Sequence, residues 1–393
     1  MPTQRGLAIL CFVAVFAAVG AGAPYLPLYY QSLGMSLDQI GLLAAAVAVS
    51  ALVAAPIWGT ISDALSGSRF VLPAAALLTA AFGAAMAATS NLVIVALLAV
   101  SFWLAFAGVG PLLDARALDT VADDKNRYSR IRAWGSAAFV VSSIVVGAFI
   151  QNTQLRALFT VLVPSIALAG FLALGLRSAK SLDPRPDRSA IRSVLASRTL
   201  LWFLAAALIA WAANSAINAF LSIYLSSIGA PGGLVGLSWA LGAVVEVPLL
   251  LAFPLLARRF GLERLILVGA GLLCLRALAI AMVGDPVLAA LTMALHGGGF
   301  ALLLVGGVTY VARHAPAGAS ATAQGVLSGM IVGLAQIIGP GIGGLVARQF
   351  GLTSLFFAAA VTGAIGVAVL AVAFGMRASA AGATAVDSAH ELG

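Results

Sequence analysis

Residues 26–34 read Leu-Pro-Leu-Tyr-Tyr-Gln-Ser-Leu-Gly, and residues 221–229 read Leu-Ser-Ile-Tyr-Leu-Ser-Ser-Ile-Gly. The two stretches lie 195 residues apart, and the same offset relates Gly41 to Gly236 without a gap. A match at constant spacing predicts a chain built from two similar halves. An even number of membrane crossings in each half would place both halves in the same orientation.

The composition of the 393-residue chain places this repeat in a membrane. Hydrophobic residues make up 62% of the sequence and charged residues only 9%, whereas a soluble domain is about 25% charged. Apolar runs follow one another along the chain, and many reach the roughly 20 residues that a helix needs to cross a bilayer. The runs are continuous and do not alternate as they do in membrane barrels. The sequence therefore predicts an all-α integral membrane protein in contact with the lipid bilayer.

Twelve apolar runs predict transmembrane helices, at residues 7–30, 38–61, 70–90, 92–118, 131–151, 156–176, 199–226, 233–256, 264–283, 287–311, 322–347 and 352–375. The longest polar stretch separates the first six runs from the last six. We predict an N-terminal six-helix bundle at 1–177, a cytoplasmic linker at 178–198, a C-terminal six-helix bundle at 199–377 and a disordered cytoplasmic tail at 378–393. Parallel repeats of this kind predict a substrate site between the halves, near the middle of the membrane.

The basic residues predict how the chain crosses the membrane. With the N-terminus in the cytoplasm, 17 of the 21 lysines and arginines fall in cytoplasmic segments, as the positive-inside rule requires. We therefore expect cytoplasmic N- and C-termini and a monomeric, multi-pass protein of the inner membrane. The net charge of +8 then reports topology and does not indicate a nucleic-acid partner. Cys11 and Cys274 lie in apolar runs and predict neither a disulfide nor a metal site.

A loop between the second and third predicted spans carries the first family resemblance. Gly59 is followed four residues later by Asp63, and the loop ends at Arg69. This pattern resembles the signature loop of the major facilitator superfamily, although the usual basic pair is reduced here to one arginine. The resemblance implies that Gly59, Asp63 and Arg69 form a gating loop that controls conformation and does not bind substrate. An ordinary tight turn is the alternative.

A second motif connects spans four and five. Asp114 lies on span four, and Arg132 lies in the run Tyr-Ser-Arg-Ile-Arg-Ala-Trp-Gly-Ser at residues 128–136. The run resembles the phenylpropionate-permease branch of the superfamily, which is close to the lactose permease, where a carboxylate and an arginine at this separation hold the sugar. The resemblance implies substrate binding by Asp114 and Arg132, with a structural ion pair as the alternative. Phe139 replaces a substrate-stacking tryptophan of the lactose permease, which favours an aromatic or apolar solute over galactosides.

Three ionisable residues lie on successive apolar runs of the second half: Glu246 on span eight, Arg276 on span nine and His296 on span ten. Such residues are expensive inside a membrane, and they usually line a pathway or pair with one another. Their type, span and order resemble the same permease group, which implies a network that couples proton uptake to conformational change. Glu246 is the predicted proton carrier, and His296 the predicted relay or substrate ligand. A static cluster is the alternative, and Gly299 stands where the lactose permease has an essential second glutamate.

Other polar and aromatic side chains in the spans are candidate solute contacts. Asn214 and Asn218 are one helical turn apart on span seven, and such residues either bind a solute or hold helices together. Gln336 on span eleven carries the same two interpretations, whereas Trp103 either lines an aromatic-friendly cavity or faces the lipid or the membrane interface. Arg116, two residues from Asp114, points to a different helix face and is expected to snorkel to the cytoplasmic surface.

The sequence contains no zinc-protease, serine-hydrolase or Walker motif, so neither an enzyme nor a primary pump is predicted. The leading hypothesis is a secondary active transporter that uses the proton gradient, and no cofactor, to take up a small organic solute such as an aromatic acid, a nucleoside or a sugar. A proton/drug antiporter is the alternative within transport. The alternative from another class is a sensor or scaffold that keeps the fold and has lost transport.

Overall fold

The computed structural model describes residues 3–65, 68–121, 125–177 and 188–390. In this part of the chain the apolar runs form helices α1 to α12, with the bounds Gln4–Ser32, Leu37–Ala64, Val71–Ala87, Leu92–Thr120, Lys125–Gln151, Leu155–Ala173, Arg198–Ser227, Gly232–Phe260, Leu262–Met282, Pro286–His314, Ser320–Phe350 and Leu352–His390. Helices α1 to α6 are called the N half, and α7 to α12 the C half.

Eleven of these helices are long and apolar enough to cross a membrane, counted over the described residues. The exception to the twelve predicted spans is α3, which has 17 apolar residues. At 1.5 Å per residue it is about 26 Å long, at the lower limit for a membrane-spanning helix. The chain is therefore an all-helical membrane protein, and the third span at 70–90 stays a prediction.

Polar residues fix where several helices begin. The Asn91 side chain accepts hydrogen bonds from the backbone amides of the second and third residues of α4, and Asp285 does the same for α10. These caps satisfy donors that a helix start leaves free. Four helices are interrupted near the middle of the molecule: α1 turns after Gly22, α4 after Phe106 and α10 near Thr292, while α11 has a π-helical segment at Gly329–Leu334.

Equivalent residues of the sequence repeat make equivalent contacts. The Tyr29 hydroxyl donates to the carbonyl of Met86 at the end of α3, at 3.1 Å. The Tyr224 hydroxyl donates to the carbonyl of Val283 at the end of α9, at 2.7 Å. Each tyrosine also meets a phenylalanine edge to face, with ring centroids 5.0 Å apart in both pairs. The glycines that close the two stretches both have positive φ, +97° and +89°.

Among the described residues, the buried apolar clusters join the two halves toward one face. We call the face that carries the chain's N-terminus the N-terminal face, and the opposite one the far face. One buried cluster lies toward the far face and joins both halves, with Tyr25 from α1 and Phe220 from α7. Two more lie toward the N-terminal face and stay within one half each, around Phe12 and Leu113 in one and Phe203 in the other.

Glycines allow the close contact at the far face. Gly147 of α5 faces Gly232 of α8 so closely that a Cβ on either residue would overlap the other's carbonyl oxygen, and Gly41 of α2 packs similarly on Gly344 of α11. Small residues at helix crossings permit such backbone approach. Toward the N-terminal face, a Cβ added at Gly59 would meet no atom within 4 Å. Over the described ranges, the halves are thus in close contact at the far face, while the buried clusters at the N-terminal face remain separate.

Two polar contacts also join the halves at the far face. The Tyr25 hydroxyl, which donates to the carbonyl oxygen of Ser143 within the N half at 2.5 Å, also lies 3.4 Å from the carbonyl oxygen of Gly232 in the C half. Arg348, near the end of α11, forms a salt bridge with Asp38 at the start of α2. These contacts add directional bonds to the apolar closure.

The structure describes only part of the linker between the halves and of the tail after α12. Residues 178–187 of the predicted linker lie outside the described residues, while Arg188–Ala196 forms a short helix with Val194 buried against the C half. Helix α12 continues to His390, through most of the tail predicted at 378–393. The side chains beyond residue 375 lie outside the described ones, so the disordered tail and the domain boundaries stay predictions.

Candidate functional site

A cavity of about 260 Å³ lies between the halves, on the inner side of the far-face contacts. Helices α1, α2 and α4 line it from the N half, and α7 and α11 line it from the C half. Most of its wall is apolar. The side chains with polar atoms in the wall are Tyr30, Trp103, Ser215, Asn218 and Gln336. An apolar cleft with a few convergent polar groups is the usual form of a small-molecule site.

Two aromatic residues form part of this wall. The Trp103 ring is held edge to face by Phe102 and Phe106, with centroids 5.6 and 5.4 Å away. Tyr30 is only 7% exposed, and its hydroxyl oxygen is buried without a hydrogen-bond partner among the described residues. A buried hydroxyl without a partner costs free energy that a ligand or a water molecule could recover.

A buried cation lies directly behind the cavity wall. Arg276 on α9 is 0% exposed. Its Nη1 donates to Oδ1 of Asn214 at 3.0 Å and to Oδ1 of Asn218 at 2.9 Å. Nδ1 of His296 lies 3.1 Å from the same Nη1, and Nη2 lies 3.2 Å from the sulfur of Met293. We call Arg276, Asn214, Asn218 and His296 the arginine cluster; it contains no carboxylate among the described residues.

The proton on His296 decides how the arginine cluster is bonded. Its Nδ1 also lies 3.2 Å from Oδ1 of Asn214. A neutral imidazole nitrogen either accepts or donates. Nδ1 therefore accepts from Arg276 in one tautomer and donates to Asn214 in the other. The cluster consequently has two hydrogen-bonding arrangements within one geometry.

The predicted pair of Asp114 and Arg132 is brought together on α4 and α5. Nη1 of Arg132 lies 3.6 Å from Oδ2 of Asp114. Tyr128 joins them, since its hydroxyl donates to Oδ1 of Asp114 at 2.7 Å and accepts from Arg132 at 3.3 Å. The side chains of Arg132 and Asp114 are 53% and 35% exposed. Neither residue is part of the cavity wall, so the pair lies apart from the enclosed site.

Glu246 is grouped differently from the sequence-based prediction. Its carboxylate has no hydrogen bond to Arg276 or His296 among the described residues. It interacts electrostatically with Arg132, which lies across the boundary between the halves. Only its backbone approaches the arginine cluster, because α8 packs on Gly297 next to His296. Arg276 and His296 are therefore in contact, while the cation whose charge acts on Glu246 is Arg132 of the other half, with no ion pair between the two in the described part of the chain.

The remaining predicted site residues lie away from the cavity. Phe139 is half-buried on α5, and neither it nor His296 is among the wall residues. Gly59, Asp63 and Arg69 are exposed at the N-terminal face, and the loop they flank includes two residues outside the described ranges. Gly59 makes no close helix contact in this arrangement. The gating role of this loop stays a prediction.

The expectation that Arg116 snorkels to the surface is wrong. Arg116 is 3% exposed, and its two Nη atoms donate to the carbonyl oxygens of Ala173 and Ser68 at 3.2 and 3.1 Å. These carbonyls belong to the end of α6 and to the α2–α3 connection, where helix ends leave acceptors free. Local acceptors thus hold the cation inside the bundle, and it ties three segments of the N half together.

The family of the chain follows from its match to a family model. The model described as the MFS_1 like family matches residues 6–358. The chain belongs to the MFS_1 like family. This family is part of the major facilitator superfamily, so the protein is a multi-pass transporter of small solutes in the cytoplasmic membrane and not an enzyme.

Individual relatives of this MFS_1 like protein differ in the solutes that their names give. It is 28% identical over 367 residues to a maltose permease of Geobacillus stearothermophilus, and the aligned region covers 92% of each chain. It is 28% identical over 277 residues to a probable 3-phenylpropionic acid transporter of Escherichia coli, covering 69% of this chain and 72% of the relative. The crystal structure of the nucleoside transporter NupG shares the fold, with a TM-score of 0.80, 18% identity and coverage of 96% and 99%.

Sequence reasoning missed Tyr30 as a site residue. Tyr30 stands beside Tyr29 in the repeated stretch, near the end of a span where aromatic residues commonly anchor the membrane interface. The repeat carried a signal, because the residue matching Tyr30 in the C half is Leu225. Tyr30 is thus an aromatic hydroxyl at a position where the other half has an apolar side chain, so the shared fold does not require it.

Proposed function

We propose that this MFS_1 like protein takes up a small organic solute together with protons by alternating access, and that the solute binds in the cavity between the halves. In this proposal α3 also crosses the membrane, which brings the number of spans to twelve. The N-terminus is cytoplasmic, as the positive-inside rule predicts. The N-terminal face is then the cytoplasmic face. The arrangement described above is accordingly the state that is open to the cytoplasm and closed to the outside.

The observation that carries the proposal is the long-range electrostatic effect of Arg132 in the N half on Glu246 in the C half, which form no ion pair among the described residues. It crosses between two bodies that move relative to each other in alternating access. Asp114 competes for the same arginine at 3.6 Å. When the halves rock, the distance from Glu246 to Arg132 changes, and with it the tendency of the carboxylate to hold a proton. Proton binding and conformation are thereby linked.

The arginine cluster is the second site at which the charge of Glu246 could be compensated. Arg276 is a buried cation with no carboxylate partner among the described residues, and a buried charge without a counter-charge is costly. Glu246 is on the helix that packs against His296. We infer that Glu246 exchanges between Arg132 in this state and the arginine cluster in the outward-open state. A proton carried on Glu246 would permit that exchange without moving a bare charge through the membrane.

Solute binding would be sensed at the same place, since Asn218 belongs both to the cavity wall and to the arginine cluster. A solute that hydrogen-bonds the Asn218 amide competes with, or reorients, the bond to Arg276. This gives Asn214, Asn218 and His296 a role between solute and proton. Asp114 and Arg132 then act as the entrance and counter-charge on the cytoplasmic side, and Phe139 lines the route toward them.

The proposal is tested with weakly buffered, right-side-out membrane vesicles containing the protein, to which uridine, D-glucose or 3-phenylpropionate is added while the external pH is recorded. Alkalinisation of the medium that accompanies uptake of a solute supports symport. Acidification of the medium would contradict it and indicate an antiporter. No flux of any of the three solutes, with protein shown to be folded, would also contradict it and favour a sensor or scaffold.

A further inference from the structure

The cavity wall contains several polar groups that the protein itself leaves without partners. The Tyr30 hydroxyl is buried and unpartnered. The Gln336 amide and the Trp103 indole N–H, which share the wall, make no hydrogen bond within the described part of the chain. Buried polar groups are otherwise almost always paired. The buried Tyr30 hydroxyl therefore indicates a partner outside the protein, and the Gln336 amide and the Trp103 indole N–H, which are partly exposed, are free to bond the same ligand.

These groups offer both donors and acceptors. An indole N–H only donates, an amide offers one acceptor and two donors, and a phenol hydroxyl does both. Hydroxyl and amide groups of a solute match such a mixture. A carboxylate only accepts, so it would leave the Gln336 carbonyl oxygen without a donor.

No ionised side chain belongs to the cavity wall among the described residues. Arg276, the cation of the arginine cluster, lies behind the cavity wall and is fully buried. Its Nη1 is already bonded to Asn214 and Asn218. Asn218 therefore separates the guanidinium from the cavity. A charged solute would give up its hydration without gaining a counter-charge, which is strongly unfavourable in an apolar site.

The shape and size of the cavity add a further restriction. Trp103 and Tyr30 present ring surfaces, and the other wall residues are mainly alanine, leucine, valine and proline. The volume of about 260 Å³ lies just below the range of roughly 300–1,000 Å³ that is usual for drug-sized ligands. A solute with one or two rings fits these limits.

We infer that the cavity binds an uncharged, ring-containing solute with hydroxyl or amide groups at its edge, and that Tyr30 is a specificity-determining residue that hydrogen-bonds it directly. The inference rests on the proposed function, because it assigns the solute class of the same cavity. Nucleosides and monosaccharides share this chemistry. Arylalkanoic acids in their ionised form do not.

The test measures ligand binding to the purified full-length protein at neutral pH, with no proton gradient. The probes are uridine, D-glucose, and the matched pair 3-phenylpropanamide and 3-phenylpropionate, which differ essentially in charge. Saturable binding of uridine or glucose is expected, with the amide bound more tightly than the carboxylate. Binding of uridine would identify nucleosides as the solute class, and binding of D-glucose would identify monosaccharides. Tighter binding of the carboxylate than of the amide, or no saturable binding of any uncharged probe, would overturn the inference.

Two variants keep the test specific. Tyr30→Phe removes only the hydroxyl, and it is expected to weaken binding of the uncharged probe about tenfold, the effect of losing one ligand hydrogen bond in a buried site. Tyr224→Phe removes a tyrosine hydroxyl that bonds a helix end away from the cavity, and it is expected to leave binding unchanged. Equal affinities of Tyr30→Phe and wild type would overturn the role of Tyr30. Since binding is measured without a gradient, a failure of proton coupling alone leaves this result unaffected.

Discussion

Nη1 of Arg276 lies 2.9 Å from Oδ1 of Asn218, so a fully buried cation is bonded to a residue of the cavity wall. The solute site and the charged interior of the C half are therefore in direct contact through one amide. Any solute that bonds this amide alters the environment of Arg276. This contact places solute recognition and charge compensation within one helical turn of α7.

Removal of that amide is predicted to destabilise the protein. In Asn218→Ala, Arg276 loses one of its acceptors, and a hydrogen bond to a charged group contributes about 1.5–3 kcal/mol. We expect a lower thermal unfolding midpoint in detergent and weaker solute binding. Asn152→Ala, at an exposed position in the connection after α5, is the control and should be neutral. An Asn218→Ala protein as stable as the control would mean that Arg276 is compensated in another way.

The Tyr25 contacts are predicted to hold the far face closed. Tyr25→Phe removes the bond to the carbonyl oxygen of Gly232, which joins the two halves, together with the bond to Ser143 inside the N half. We expect the population open at the far face to increase. The measurement uses a protein in which Cys11 and Cys274 are replaced by alanine and a cysteine is introduced at Ala44, a cavity residue. The rate at which a membrane-impermeant maleimide added from outside labels this cysteine reports opening of the far face. An unchanged labelling rate in Tyr25→Phe would show that these bonds do not control closure.

The organisation of the fold could be predicted from the sequence because it depends on patterns along the chain. Continuous apolar runs predict spans, and a constant offset predicts that Tyr29 and Tyr224 occupy equivalent places. A glycine-rich stretch is typical of close helix packing, and in α11 Gly344 packs on α2. Each of these inferences needs only local chemistry and spacing.

The pairing of charges could not be predicted in the same way. Partners between helices depend on the rotation of each helix about its axis and on the relative position of the halves. Glu246 and Arg276 lie on consecutive helices, yet the cation whose charge acts on Glu246 is Arg132 in the other half. Arg116 was expected at the surface, but free carbonyls at helix ends hold it inside. Neither outcome leaves a trace in the spacing of residues.

Two glycines are predicted to control opposite faces. In Gly236→Leu the new side chain would collide with Ser143 and the Tyr25 hydroxyl, which prevents closure of the far face and should raise labelling of the cysteine at position 44 from outside. In Gly59→Leu the side chain has free space in the present state but would obstruct closure of the N-terminal face, so labelling from outside should fall. Both variants should lose uphill uptake. Rapid uptake by Gly59→Leu would exclude Gly59 from the gate.

The central claim is that Glu246 carries the coupled proton, and Glu246→Gln in vesicles tests it most directly. We expect this variant to exchange internal for external solute at a rate near wild type, while accumulation driven by a pH gradient is lost. Glu263→Gln, which removes a carboxylate at the start of α9, is the matched control and should retain both activities. Accumulation of solute against its gradient by Glu246→Gln at the wild-type level would contradict the account.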